Sequence, residues 1–276
     1  MTPGRLAAVL GAPPVPRGTW EHEALYVSTA ALRHGERTGE RAGDQAGERA
    51  GELALRLRAL PGIEEVRVRP GGFLEIVVAV PGELVEEAGA APPGTSRSGA
   101  APSRVGWSGA GRGDRSAPGP AGPSPWPAGR SGPGPAGGPA GPSPAGPPWS
   151  PGTWDNPGFV VGYAHARAVA VRRWAAELGV AGGFRPELLT DRRDRAVLRS
   201  LAEAPGRRAS RDPGWAAYAE RLALAYHDAF ERAPALPRGD EEASALHVAR
   251  VRLAGAVRET LAEAMGAVGV VPPDRL

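Results

Sequence analysis

A long stretch rich in proline and glycine divides the chain and limits how the rest can fold. Residues 91–153 contain 16 Pro and 16 Gly in 63 positions, and the segment Ala-Gly-Pro-Ser-Pro occurs twice. Sequence of this kind buries too little apolar surface to offset the entropy lost on ordering. It predicts a disordered linker over residues 90–153, partly in the polyproline II conformation. We therefore expect separate folded pieces at residues 1–89 and 154–276.

Charge and cysteine content exclude several kinds of site. All 33 basic residues are Arg, there is no Cys, and the formal net charge is +3. Without Cys there is no disulfide framework or thiolate metal site, and without Lys there is no P-loop. Residues 1–90 carry 10 Arg against 13 acids, and residues 154–276 carry 18 Arg against 16 acids. No folded piece is a broad nonspecific nucleic-acid surface, so any RNA binding must come from a local site.

The chain gives no membrane or export signal. No apolar run approaches the roughly 18 residues of a membrane span. Residues 1–10 hold one Arg and a short apolar patch, too weak for a signal peptide. A cytoplasmic protein with no membrane partner is expected.

The first piece has the pattern of a small α+β domain. Thr2 and Pro3 are typical of a helix N-cap and first helical position. Residues 35–52 repeat Gly at every fourth position, which predicts a solvated insertion that becomes helical only near its end. Leu53, Leu57 and Leu60 then form one apolar helix face.

A β-hairpin is predicted after that helix. Val66 and Val68 alternate with polar residues, and the same alternation follows in residues 74–80. The Pro70-Gly71-Gly72 turn lies between the two runs.

The second piece has a helical period throughout. Four amphipathic helices are expected: at about residues 159–178, at 191–204, from Asp212 as a cap through Tyr226, and at about 240–268. Short connections between such helices predict an antiparallel bundle that folds alone, and about 120 residues suffice for a core. The expected fold is multidomain: an α+β piece, a disordered linker and an all-α bundle.

No reaction centre can be assembled from the sequence. Residues 132–137 match GxGxxG, but they contain prolines and have no strand or helix beside them. The five His lack HxxxH spacing, so no metal site is expected. No catalytic residue and no cofactor is predicted.

A resemblance to a known family begins at Asp155. The run Asp155-Asn156-Pro157-Gly158-Phe159-Val160-Val161-Gly162-Tyr163-Ala164-His165-Ala166-Arg167 resembles the entry to the DALR-type anticodon-binding domain of arginyl-tRNA synthetases. That family shows Asp-Asn-Pro, aromatic residues and then Gln-Tyr-Ala-His-Ala-Arg, in the same ungapped order. The run at residues 218–230 and the ending Gly-Val-Val-Pro-Pro-Asp-Arg-Leu are also similar, so the resemblance covers residues 154–276.

The first piece resembles the N-terminal domain of the same family. Residues 25–33 look like its Asp-Tyr-Ala-Thr-Asn element with Ala30 in place of Asn, and residues 71–76 look like its Gly-Pro-Gly-Phe-Leu-Asn-Ile strand with Glu75 in place of Asn. In the family this domain contacts the elbow of the tRNA.

The resemblance implies tRNA binding without the ligase chemistry. Between these pieces the family carries a nucleotide-binding catalytic domain, with a His-x-Gly-His motif and a Lys-bearing loop. ATP and Mg²⁺ belong to that domain. Here the Pro/Gly segment stands in its place, and a Lys-bearing loop is impossible in a chain without Lys.

The resemblance also implies which residues contact RNA. The RNA-binding candidates are Asn156, Phe159, Tyr163, His165, Arg167, Arg250 and Arg258. His165 lies off the helix face that Tyr163 and Arg167 share, and Asn156 has the alternative role of a helix cap. The family's Gln is Gly162 and one family aromatic is Val160, which predicts a loss of stacking if that position contacts a base.

Three functions remain open, of which a residual enzyme or trans-acting subunit is the least favoured. In the first, the protein binds tRNA, arginine acceptors above all, through the anticodon region, as a noncatalytic paralogue of the synthetase. In the second, the bundle has lost RNA binding and docks a protein such as an intact arginyl-tRNA synthetase, with the linker as tether.

Overall fold

A computed structural model describes residues 1–32, 42–89 and 152–276. Residues 90–151 of the predicted linker lie outside the described residues, as do residues 33–41, which hold the start of the glycine repeat. No helix among the described residues is long and apolar enough to cross a membrane.

The first piece contains a four-stranded antiparallel sheet in the order β1-β2-β4-β3. The strands are β1 (Val15–Arg17), β2 (Ala24–Ser28), β3 (Ile63–Arg69) and β4 (Phe73–Val78). The predicted hairpin is confirmed as β3 and β4. Its turn needs glycine at Gly71 and Gly72, whose φ angles of 79° and 80° are costly for other residues.

Among the described residues of this piece, the sheet is accompanied by α1 (Pro3–Leu10), α2 (Ala42–Arg58) and α3 (Leu84–Gly89), and residues 30–32 are also helical. Thr2 caps α1 as predicted, and its hydroxyl accepts a hydrogen bond from the Arg5 backbone N–H. A single 3₁₀ turn, Pro81–Glu83, leads into α3.

The prediction for the glycine repeat was wrong in one respect. Helix α2 begins at Ala42 and includes several of the glycines. Its buried residues are Ala46, Ala50, Ala54 and Leu57, spaced three or four apart. Tight packing against this stripe of small residues offsets the helical cost of the intervening glycines, so tertiary contacts override local propensity.

The second piece is helical, as predicted. Its elements are α4 (Pro157–Glu177), a 3₁₀ turn (Pro186–Leu188), α5 (Arg192–Leu201), α6 (Ala204–Arg208), α7 (Trp215–Arg232) and α8 (Ala245–Ala267). Helix α4 packs on α7 and α8, and α5 packs on α7. Val197, Leu198 and Leu201 are buried, as their spacing predicts.

Two helix starts differ from the prediction. Helix α7 starts at Trp215, after Gly214, which has a φ of 56°, and Asp212 caps nothing. Helix α8 starts five residues later than expected, because Ser244 and His247 form a reciprocal capping box there.

The two pieces pack directly on each other. Helix α3 lies against α8 and α5, and the turn before it contacts the 3₁₀ turn at Pro186–Leu188. A Cβ on Gly82 would overlap the carbonyl oxygen of Pro186. The Arg199 guanidinium donates a 2.7 Å hydrogen bond to the carbonyl of Gly18. Buried residues of both pieces therefore form one continuous core.

Candidate nucleic-acid interface

The start of α4 sets the position of two half-buried rings. The Asn156 side chain accepts a 2.9 Å hydrogen bond from the Gly158 N–H, and Pro157 occupies the first helical position. The capped helix then places Phe159 and Tyr163 one turn apart on the same face. Their ring centroids are 5.5 Å apart and their planes differ by 17°.

Arg167 continues this row by one more turn. Its guanidinium carbon lies 4.4 Å from the Tyr163 ring centroid and 4.5 Å from that of Phe230 on α7. The same guanidinium is 3.3 Å from the Glu231 carboxylate. Cation–π contacts and a partly exposed ion pair hold this arginine in one orientation beside the rings.

His227 of α7 holds Arg167 through a hydrogen bond. Its Nε2 donates a 3.0 Å hydrogen bond to the Val160 carbonyl, and its Nδ1 accepts one of 3.2 Å from Arg167. Because a carbonyl can only accept and a guanidinium can only donate, these partners require the neutral Nε2–H tautomer. Burial lowers the pKa of His227, and the nearby Arg167 charge lowers it further.

Trp154 packs against the rings of Phe159, Tyr163 and His227. Its ring meets those of Phe159, Tyr163 and His227 edge-to-face, with centroid distances of 5.9, 5.9 and 4.9 Å. The indole remains 54% exposed. We call Trp154, Phe159, Tyr163 and His227 the aromatic cluster.

The charge around the aromatic cluster is nearly balanced. Glu231 pairs with Arg167, and Asp228 pairs with both Arg193 and Arg232. Phosphate attraction at this surface is therefore weak, and contacts to rings have to supply most of any affinity for a nucleic acid. Half-buried rings beside a fixed guanidinium, with the exposed Trp154 next to them, form the kind of surface that binds unpaired bases.

His165 lies apart from the aromatic cluster. It is buried, and its Nδ1 donates a 2.9 Å hydrogen bond to the carbonyl of Pro273 in the C-terminal tail. Burial lowers the pKa of His165, although the bond to Pro273 opposes that effect. The expected division of α4 into two faces is confirmed, and this ring anchors the tail to the bundle.

The two candidate arginines of α8 form ion pairs within the protein. Arg250 pairs at 3.1 Å with the buried Asp194 and donates to the Pro234 carbonyl. Burial raises the pKa of Asp194 to about 6, against the lowering effect of Arg250. Arg258 pairs with the adjacent Glu259. Neither guanidinium contacts the aromatic cluster.

The two departures from the family motif do not touch the aromatic cluster's exposed side. Val160 is 3% exposed and Gly162 is buried, because both positions lie on the face of α4 that packs against the bundle. The expected loss of stacking at Val160 therefore does not arise, since a side chain there faces the core.

The elbow-like element of the first piece is largely internal. Tyr26 and Ala30 are buried, and Tyr26 packs edge-to-face on Trp20 at 5.1 Å. Glu75 pairs with Arg69 across the hairpin.

Sequence reasoning missed Trp154, His227 and Phe230 as neighbours of Tyr163 and Arg167. His227, Phe230 and Glu231 share one face of α7 by their spacing, which was the available signal. The pairing of that face with α4 depends on tertiary packing. Among the described residues, no group of three His, Cys, Asp or Glu is placed to hold a metal ion.

Comparison with known proteins assigns the helical part. Residues 161–276 match the family model of the DALR anticodon binding domain. The second piece of this chain is arginyl-tRNA synthetase-like. An arginine–tRNA ligase of Clavibacter sepedonicus is 45% identical over 130 residues, which are 45% of this chain and 24% of the relative. The match thus spans about a quarter of that ligase. No solved structure matches the chain.

Proposed function

We propose that the protein binds tRNA through the aromatic cluster and Arg167, with the anticodon loop as the part contacted. The observation that carries this proposal is the half-buried row formed by Phe159, Tyr163 and Arg167, which lies beside the exposed Trp154 at the start of the region that matches the DALR anticodon binding domain. Unpaired loop bases are read by stacking and by polar contacts to their edges, and this row offers both.

We also propose that the chain does this without aminoacylation. Its two tRNA-contacting pieces are joined by residues 90–153, whose composition is unlike that of a nucleotide-binding domain. The direct packing of α3 on α8 supports the proposal, because it leaves the described pieces adjacent to each other. ATP and Mg²⁺ then have no role in the protein's function, which lies with translation in the cytoplasm.

Binding is expected to be weak and only modestly dependent on salt. About two to four phosphates are within reach of local arginines, and each contact to a single-stranded loop contributes a slope of about −0.7 in log affinity against log salt. We expect tRNAs that accept arginine to bind best, because the chain is similar to an arginine–tRNA ligase.

The test is the affinity of the full chain for an arginine tRNA and for its isolated anticodon stem–loop. Tyr163→Ala removes the ring that Phe159 stacks on and that positions Arg167, and Arg167→Ala removes the cation itself, so each should weaken binding by about 1–3 kcal/mol. Trp174→Ala and Arg173→Ala are matched controls, because both side chains lie exposed near the other end of α4. Helical circular dichroism must be unchanged in all four variants. Equal affinities in well-folded Tyr163 and Arg167 variants would contradict the assignment.

A second function is favoured by the balanced charge around the aromatic cluster. Arg167, Arg193 and Arg232 all have acidic partners, which is common for surfaces that bind protein. In this case the cluster docks a protein such as an intact arginyl-tRNA synthetase. Absence of tRNA binding by the wild type, together with co-elution with that synthetase, would support this second function over the first.

A further inference from the structure

Trp154 precedes both α4 and the region that matches the DALR family, and it is the most exposed ring of the aromatic cluster. We propose that Trp154 is an RNA-contacting residue, on which one unpaired base stacks while a neighbouring base contacts Tyr163. This inference rests on the proposed function and adds a contact that lies outside residues 161–276, the region that matches the family model.

The indole is held in place before any RNA arrives. Its edge contacts with three rings restrict its rotation, so little side-chain entropy remains to be lost on binding. The indole N–H has no hydrogen-bond partner among residues 1–32, 42–89 and 152–276, which leaves it free to donate to a base or a sugar. An exposed, prearranged ring with a free donor is suited to binding a base.

The neighbouring charge favours a base over a phosphate at this position. Asp155 follows Trp154 directly and is exposed, so it repels the RNA backbone. The cation of the site, Arg167, lies over the Tyr163 ring, 4.4 Å from its centroid. We infer that the backbone passes on the Arg167 side and that bases point toward the indole.

The angle between the rings selects the kind of RNA. The planes of Trp154 and Tyr163 differ by 68°, and those of Trp154 and Phe159 by 84°. Phe159 and Arg167 cover the two faces of Tyr163, so a base reaches that ring only at its edge. A base stacked on Phe159 would lie steeply inclined to one stacked on Trp154, and the two could not stack on one another. The site therefore fits a loop with splayed bases, and it disfavours a helical single strand or a duplex.

The experiment uses the full chain and RNA hairpins with a seven-nucleotide loop, each with 2-aminopurine at one loop position. Binding should quench the probe at the position that stacks on the indole. Trp154→Ala should remove this quenching and weaken binding about tenfold, which corresponds to about 1.4 kcal/mol. Trp154→Phe should keep most of the affinity, because it retains a ring. Trp174→Ala is the control for loss of an exposed tryptophan on α4.

The outcomes separate this inference from the proposed function. If the wild type binds the hairpin, Tyr163→Ala weakens it and Trp154→Ala does not, the role of Trp154 is overturned while the proposed function stands. Tighter binding by Trp154→Ala would also overturn it, since the indole would then cover the site. Equal wild-type affinity for a stacked oligo(A) strand and the hairpin loop would refute the selection by angle. Absence of wild-type binding to every RNA tested would overturn both proposals.

Discussion

At the scale of single residues, the site depends on which side of α4 each side chain occupies. The spacing of Tyr163 and Arg167 was enough to place them together, and it also set His165 apart. The partners of these residues were not predictable in the same way. Trp154 lies before the helix and His227 is 60 residues or more away in sequence, so their positions follow from packing rather than periodicity.

His227 makes the orientation of Arg167 depend on pH. Its lowered pKa means that the neutral ring is favoured, so its stabilising contribution is complete above the ordinary pKa of about 6.5. That contribution is lost as the pH falls through the lowered value. A protonated ring would present an N–H to the Arg167 guanidinium and break the 3.2 Å bond. Affinity for RNA should therefore fall on acidification.

The change to test is His227→Gln. Glutamine can accept from Arg167 and donate to the Val160 carbonyl, and it does not titrate. We expect affinity close to wild type at pH 7.5 and a flatter pH profile, measured by fluorescence anisotropy with labelled stem–loop RNA. His165 and the other ionisable groups are the same in both proteins, so the difference between profiles isolates His227. Identical profiles would show that His227 does not control Arg167.

At the scale of elements, local signals predicted helix existence better than helix starts. The buried stripes of α5 and α7 were visible in the sequence. The sequence did not predict the start of α2, because a row of alanines differs little in hydrophobicity from the residues around it. In the structure Ala46, Ala50 and Ala54 are nevertheless almost fully buried. The packing of α3 on the bundle had no signal, because a six-residue helix carries too short a period to show which surface covers it.

Gly82 allows the backbones of the two pieces to approach closely. Replacing it by Ala inserts a methyl group against the backbone carbonyl of Pro186, which cannot move aside as a side chain can. We expect Gly82→Ala to lower the free energy of unfolding by about 1–3 kcal/mol, as overpacking does. The midpoint of urea-induced unfolding of the full chain measures this loss of stability. Gly89→Ala is the matched control, since nothing lies within 4 Å of its added Cβ, and equal midpoints for the two variants would argue against a tight junction.

At the scale of the whole molecule, the proposal is a tRNA-binding chain with no ligase chemistry. The purified protein should show no arginine-dependent exchange of pyrophosphate into ATP, because the described residues contain no assembled nucleotide site and the chain has no Lys for a Lys-bearing loop. The assay uses a preparation free of host synthetase, with that enzyme as the positive control. Exchange above background that copurifies with this chain would overturn the noncatalytic proposal.

The domain boundaries near residues 89 and 154 stay a prediction, and so does the folding of residues 154–276 alone. The structure adds a condition to that second prediction. Leu84 and Ala88 line the same small gap as Leu201 and Ala204 of the bundle, so the isolated bundle would expose apolar surface that α3 covers in the full chain.

The packing of α3 on α8 also bears on the rate of folding. Contacts within the bundle, including those of α4 with α8, close shorter loops than the contacts between Val85 and the middle of α8, which close a loop of more than 160 residues. Contacts between residues far apart in sequence slow folding, because chain entropy is lost before the contact forms. The helices are thus expected to collapse onto one another first, and α3 to seat afterwards. A newly made chain would carry an uncovered face on its bundle during that interval, which is when it is most open to aggregation.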